Sequence, residues 1–171
     1  MKRKSYLKRN LYIIALLLLF LYLFLGFRLY FVQGESMAPV FHTGDRLLVS
    51  RWSYGFPRIF HTGYYFRWKK PSIDDIMVFH SPLENSLSVK RCAGREGDTL
   101  MLIHDTFYLN DQPLPPGKLP PAAPFRDGVI APGWVFFLGD NSGDSVDSRY
   151  YGPLSMEYVL GRVLLAGRHN G

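Results

Sequence analysis

Only one cysteine, Cys92, occurs in the 171 residues, so no intramolecular disulfide can brace the chain and any extracytoplasmic part must rely on its own core. There is no C-x-x-C, no H-E-x-x-H and no histidine pair at helical spacing, so nothing points to a structural or catalytic metal. Beyond residue 33 neither a long 3.6-residue periodicity nor an internal repeat can be found, which argues against a helical bundle or a solenoid. Charged residues are scarce at 20%, against 47% hydrophobic, which excludes wholesale disorder and permits a packed core. Asp and Glu are missing altogether from the first 28 residues.

That last absence explains the formal net charge of +6. A basic chain ordinarily raises nucleic acid or an anionic membrane as partners. Here Lys2, Arg3, Lys4, Lys8, Arg9 and Arg28 account for six of the 20 cations, and the other 14 are matched by all 14 acidic residues. The body is neutral, and nucleic acid is not an expected partner. From Leu11 to Phe27 an unbroken run of 17 residues is apolar, aromatic or glycine. As a helix it rises about 26 Å, and with flanking residues it spans a hydrocarbon core of about 30 Å. Arg28 then lies near the far end, where its side chain snorkels toward the headgroups. Five cations precede the run, which places the N-terminus in the cytoplasm and the remainder outside. The competing reading is a cleavable signal peptide, whose apolar stretch is about 7–15 residues and ends in small side chains. This run is longer, and Arg28-Leu-Tyr-Phe-Val-Gln33 follows it. The expected organisation is a basic cytoplasmic tail at 1–10, a transmembrane helix at 11–28 and an extracytoplasmic domain at 29–171, single-pass in the cell membrane and in contact with its lipid.

Short apolar runs between Gly, Pro, Asp and Asn dominate the body and predict β-strands at 46–50, 76–80, 99–103, 106–109, 134–138 and 159–165. Asn110-Asp111 suits a tight turn. Residues 113–124 hold six of the 12 prolines and read as an extended surface loop. Residues 52–70, aromatic and basic, read as an excursion from the sheet, either a hydrophobic flap or a segment at the membrane interface. The fold class is mostly β.

Three clusters carry residues that strands seldom need. Gly34-Glu-Ser-Met-Ala-Pro39, followed by Gly44-Asp45, holds Ser36 in a turn; taken alone, a turn or capping serine is the simpler reading. In Ser88-Val-Lys-Arg-Cys-Ala-Gly-Arg-Glu-Gly-Asp98, a strand over 87–93 puts Lys90 and Cys92 on one face and Arg91 on the other, and the Lys-Arg pair by itself reads as a solvated edge. Leu138-Gly-Asp-Asn-Ser-Gly-Asp-Ser-Val-Asp-Ser-Arg149 is dense in hydroxyls and carboxylates but lacks the EF-hand pattern of a calcium loop.

In this order the clusters resemble those of bacterial type I signal peptidases, from the apolar run to about Val163. The resemblance implies a catalytic domain of antiparallel sheets on the outer face of the membrane. It implies Ser36 as nucleophile and Lys90 as its general base, with Ser145 orienting the amine. Asp147 and Arg149 match an ion pair holding the loop, Ser148 lies between them, and Met37 packs beside the nucleophile. Where many members have a serine that donates to the oxyanion, this chain has Gly34, as single-anchor members do; the Ser36 N–H is then the expected donor, helped by water or the substrate. Val40 replaces the usual Thr and Glu96 the usual Pro. The implied substrates are secretory preproteins with signal peptides, cut after an Ala-x-Ala pattern, and no cofactor is required.

A lysine base needs a special site. At an ordinary pKa of about 10.4 only about one amine in 2,500 is neutral at pH 7. Burial lowers that pKa by disfavouring the charged form, whereas the guanidinium of Arg91 stays protonated. His42, His61, His80, His104 and His169 lie in no nucleophile-elbow setting and read as structural or surface residues, and Cys92 as a small buried hydrophobe. Rival readings are a conjugative-pilus-type processing peptidase with the same dyad and a non-catalytic membrane-anchored binding domain. Self-cleaving repressors share such a dyad but need a DNA-binding domain in place of the apolar head. The sequence carries no signal for an oligomeric state.

Overall fold

The structure, a computed structural model, describes residues 2–58, 61–84, 86–119 and 127–168. A long helix, α1 (Lys2–Gly26), leads into β1 (Phe27–Phe31), β2 (Arg46–Ser50), β3 (Gly55–Pro57), β4 (Tyr64–Arg67), β5 (Ile76–His80), β6 (Leu87–Arg95), β7 (Thr99–Ile103), β8 (Thr106–Leu109), β9 (Gln112–Pro113), β10 (Gly128–Val129) and β11 (Trp134–Leu138). A single helical turn, α2 (Ser148–Tyr151), then β12 (Leu154–Ser155), a 3-10 turn over Met156–Tyr158 and β13 (Val159–Gly167) complete the chain. Every strand pair is antiparallel. Seven strands form one sheet in the order β1-β2-β13-β5-β6-β11-β12, four form a second in the order β10-β7-β8-β9, and β3 and β4 make a separate hairpin. Register shifts within β13 and β11 curl the large sheet.

The runs expected as strands are strands, because each supplies one face to the core. β11 shows why its run is continuously apolar. Val135 and Phe137 join Phe79, Met77 and Cys92 on one side, while Phe136 joins Leu100, Phe107 and Ile130 on the other. A strand covered on both faces has no polar positions to alternate with. The Phe79 and Phe137 rings stack at 4.4 Å. A third cluster of Val32, Met37, Phe41, Leu47, Val49 and Val78 lies under the loop that follows β1. At the Asn110-Asp111 turn both residues adopt positive φ, 48° and 63°, the geometry that lets two residues join twisted strands.

Among the described residues α1 is the one helix long and apolar enough to cross a membrane, over Lys8–Gly26, and its apolar side chains face outward all round. It stops at Gly26, two residues before the expected end. Backbone pairing decides this: Phe27 to Phe31 pair in register with Ser50 to Arg46, and the Gly26 carbonyl accepts from Arg51 N–H at 2.8 Å. Arg28 is therefore a strand residue, and its guanidinium turns back to donate to the carbonyls of Phe24 and Phe27, where a cation complements the helix C-terminus. Of the proline-rich stretch, Pro113 ends an edge strand, Gln112–Pro113, and Leu114 and Leu119 anchor the following residues against the Leu100 cluster while Pro115, Pro116 and Lys118 stay exposed. Residues 120–124 lie outside the described residues, as does His169.

Candidate active site

Three separate pieces of chain converge at the centre. The first is the turn after β1. Gly34 has φ +85°, a left-handed conformation that explains glycine in place of a side-chain donor. Its carbonyl and N–H both bond the Thr43 hydroxyl, and the Glu35 carboxylate gathers Thr43 N–H (3.2 Å), Thr43 Oγ1 (2.9 Å) and His42 Nδ1 (2.9 Å). These bonds close the loop on itself, and Met37, fully buried beneath it, ties it to the Val32 cluster. Ser36 is left facing a cleft of about 580 Å³ lined by Tyr30, Leu47, Val78, Leu87, Val89 and Lys90 among others.

The second piece is β6. Alternation along it turns Lys90 and Cys92 inward and Arg91 outward. Lys90 is only 5% exposed, and its Nζ lies 2.5 Å from Ser36 Oγ, across 54 residues of sequence. Burial holds its pKa below the ordinary lysine value, the carboxylates of Asp147, Asp140, Asp144 and Glu84 pulling the other way. An amine that sheds its proton readily, within hydrogen-bond reach of a hydroxyl, has the geometry and the chemistry of a general base. Cys92 is fully buried, and burial pushes its thiol up to about 12, so it is the inert hydrophobe expected. Arg91 departs from expectation. It is no solvated edge residue but grips the Asp140 carboxylate with two bonds, Nε at 2.8 Å and Nη2 at 2.7 Å, linking β6 to the loop after β11.

That loop, 139–149, is the third piece. Asp147 and Arg149 are 0% and 1% exposed and paired, as the motif implies. Asp147 accepts from Arg149 Nη2 (2.6 Å), Arg149 Nε (2.9 Å), Arg149 N–H (3.2 Å) and Gly139 N–H (2.9 Å). Ser148 Oγ accepts from Phe137 N–H at 2.9 Å, so the loop is pinned to its own strand. Arg149 Nη1 donates onward to the carbonyls of Pro115 and Pro116, which holds the proline-rich segment in place.

Asn141 joins this loop to the nucleophile: its N–H donates to the Ser36 carbonyl at 3.1 Å and its Nδ2 to the Glu35 carbonyl at 3.1 Å. A Cβ on Gly139 would stand 2.2 Å from Ser145 Oγ and 2.6 Å from the Ser36 carbonyl oxygen, so only glycine permits this approach. Ser145 is 1% exposed in the same corner, but its Oγ makes no hydrogen bond among the described residues, so the expected bond to the Lys90 amine is not formed. The Ser36 N–H likewise has no partner among the described residues.

Asp140, Asn141 and Glu35 were missed as site residues from sequence. Asp140 and Asn141 stood inside the third cluster, but carboxylates and amides in a polar loop give no sign of which one reaches back. No group of three or more His, Cys, Asp or Glu able to hold a metal occurs among the described residues.

The profile of the family described as signal peptidase, peptidase S26, matches residues 3–166. A probable thylakoidal processing peptidase 2 of Arabidopsis thaliana is 30% identical over 77% of this chain, which spans only 35% of that protein's length. A probable signal peptidase I-1 of Synechocystis sp. is 29% identical over 94% of this chain and 82% of its own. Among solved structures, a signal peptidase I of Enterococcus faecalis is 30% identical with a TM-score of 0.41, covering 57% of this chain and 98% of its own.

Proposed function

From the premise that this chain belongs to the signal peptidase S26 family, we propose that it is a membrane-tethered serine endopeptidase that removes N-terminal signal peptides from secretory preproteins, with Ser36 as nucleophile and Lys90 as general base. The observation that carries the reading is the 2.5 Å approach of a buried lysine amine to a serine hydroxyl, both lining one cleft.

Ser36 Oγ attacks the scissile carbonyl carbon while the neutral Lys90 amine takes its proton. The oxyanion that forms accepts from the Ser36 N–H, and each such donor is worth about 2.7–4 kcal/mol of transition-state stabilisation. The C–N bond breaks as the Lys90 ammonium returns the proton to the leaving amine, and an ester on Ser36 remains. Lys90, neutral again, takes a proton from water; the hydroxide attacks the ester, and the proton passes to Ser36 Oγ as the new carboxyl end departs. Ser145, enclosed with an unsatisfied hydroxyl, has its hydrogen-bonding capacity free for the Lys90 amine as it cycles between charge states. Asp147, Ser148 and Arg149 hold the loop that carries it, and Gly34 and Met37 hold the nucleophile turn. α1 keeps the N-terminus cytoplasmic and sets the cleft on the outer side, where preproteins present the end of their apolar segment.

The test is incubation of the purified full chain with a preprotein, the cut site read by mass spectrometry. Cleavage after a small-x-small pattern that disappears in both Ser36→Ala and Lys90→Ala, with folding and membrane binding kept, supports the dyad. Full cleavage in Lys90→Ala overturns it.

A further inference from the structure

The β3–β4 hairpin contributes nothing to the dyad, yet it carries a continuous ladder of rings. Trp52, three residues before β3, meets Phe56 at 5.1 Å; Phe56 stacks on Phe66 at 5.7 Å; Phe66 meets Trp68 at 5.7 Å; and Trp68 stacks back on Trp52 at 6.4 Å. Phe66 and Trp68 are 59% and 55% exposed, and Phe56 and Tyr65 are exposed beside them. An exposed apolar patch of this kind marks an interaction surface.

The other end of the ladder shows what the surface faces. Trp52 stacks on Tyr22 of α1 at 5.3 Å. Tyr22 lies four residues inside the helix end, a rise of about 6 Å, and within the unbroken apolar run. The helix is shaped for this contact: a Cβ on Gly26 would stand 1.9 Å from Trp52 Nε1, so a larger residue there would expel the indole. Residues 51–70 contain five cations and no Asp or Glu. Arg58 and Lys70 are paired with Glu157 and Glu96, while Arg67 and Lys69 have no ion pair among the described residues. Aromatic rings with basic residues beside them, at the end of an apolar span, match the chemistry of the bilayer's interfacial zone, apolar on one side and anionic on the other.

We propose that the β3–β4 hairpin is a lipid-docking element, seated in the headgroup region of the leaflet that the domain faces, with Phe56, Phe66 and Trp68 entering it and Arg67 and Lys69 at the level of the phosphates. Two attachments then hold the domain, the span and the hairpin clamped to it. β1, about 17 Å long, is the strand between the span's end and the turn that carries Ser36. With its base fixed by the hairpin, the cleft keeps one height above the bilayer instead of swinging about a single tether. The proposal rests on α1 being a membrane span and is independent of the peptidase reading.

The experiment uses the full chain in liposomes of phosphatidylcholine and phosphatidylglycerol, with no other protein present. In a protein retaining Trp68 alone (Trp52→Phe, Trp134→Phe), bromines on the lipid chains near the headgroups should quench the indole severalfold more than aqueous iodide does. Strong quenching by iodide with none by the bromolipids overturns the proposal and leaves a protein partner as the occupant. A second measurement needs no substitution: wild-type chain in liposomes containing a lipid with a photoreactive group near its headgroup should form adducts on peptides from 52–70 as well as on α1. Adducts confined to α1 overturn the proposal. Neither readout depends on cleavage, so failure here and failure of the Ser36→Ala test are distinguishable.

Discussion

Replacing Arg149 with methionine should cost about 3–5 kcal/mol of stability, because it strands a buried carboxylate. The magnitude follows from the geometry. Asp147 is 0% exposed and accepts four hydrogen bonds, two of them from the Arg149 guanidinium at 2.6 and 2.9 Å. Methionine fills most of the volume but leaves Asp147 with two backbone donors and no counter-charge, and it also releases the carbonyls of Pro115 and Pro116. Taking the carboxylate away as well, in Asp147→Leu with Arg149→Met, removes the uncompensated charge. The double variant should therefore be more stable than Arg149→Met alone, since apolar replacement of a buried pair is often neutral or better. Activity should not follow stability, because Gly139 N–H loses its anchor in the double variant and the corner shared by Ser36 and Ser145 loosens. A displacement of about 1 Å in such a corner lowers the rate by about 10²-fold. Urea unfolding of the full chain in detergent, followed by near-ultraviolet circular dichroism, measures the first effect, and preprotein cleavage the second. A loss below about 1 kcal/mol in Arg149→Met, typical of an exposed pair, would refute the reasoning, as would a double variant less stable than the single.

Other consequences follow from the same site. Burial lowers the Lys90 pKa, so the cleavage rate should rise with pH through a limb lying below the ordinary lysine value of 10.5, and Asp144→Asn, by removing a carboxylate that raises it, should move that limb to lower pH; a limb that moves upward contradicts the assignment. The linked stability has the same direction: between the folded pKa and 10.5 the unfolded chain holds the extra proton, so this lysine's contribution to stability increases with pH across that window, checked by urea midpoints against Lys90→Met. Gly139→Ala should lower kcat/KM by about 10²-fold while the protein still folds, because its methyl meets Ser145 and the Ser36 carbonyl; unchanged kinetics would show the corner to be pliable. Cys92, with its thiol pushed up to about 12, should resist iodoacetamide at pH 8 until the chain is unfolded, and rapid alkylation of the folded protein would show that the pocket opens.

The division between what sequence and fold each decide is physical. Composition and run length are local properties, and they determined a helix long and apolar enough to span a membrane, a neutral body and short strands from the placement of six cations and 17 apolar residues. Ser36, Lys90, Asp147 and Arg149 became candidates through the resemblance to a known family that the three clusters carry in their order, since each cluster taken alone had a simpler structural reading.

What depended on contacts between distant segments could not be read along the chain. Whether Phe27–Phe31 extends the helix or starts a sheet turned on whether β2 offered it a partner. Arg91 looked solvated until Asp140, 49 residues away, supplied the carboxylate that its planar fork fits. The aromatic stretch at 52–70 acquired a direction only when Trp52 settled against Tyr22. The low pKa of Lys90 belongs to neither its sequence neighbours nor its residue type. It exists because folding removes water from that amine, and burial is a property of the assembled sheet alone.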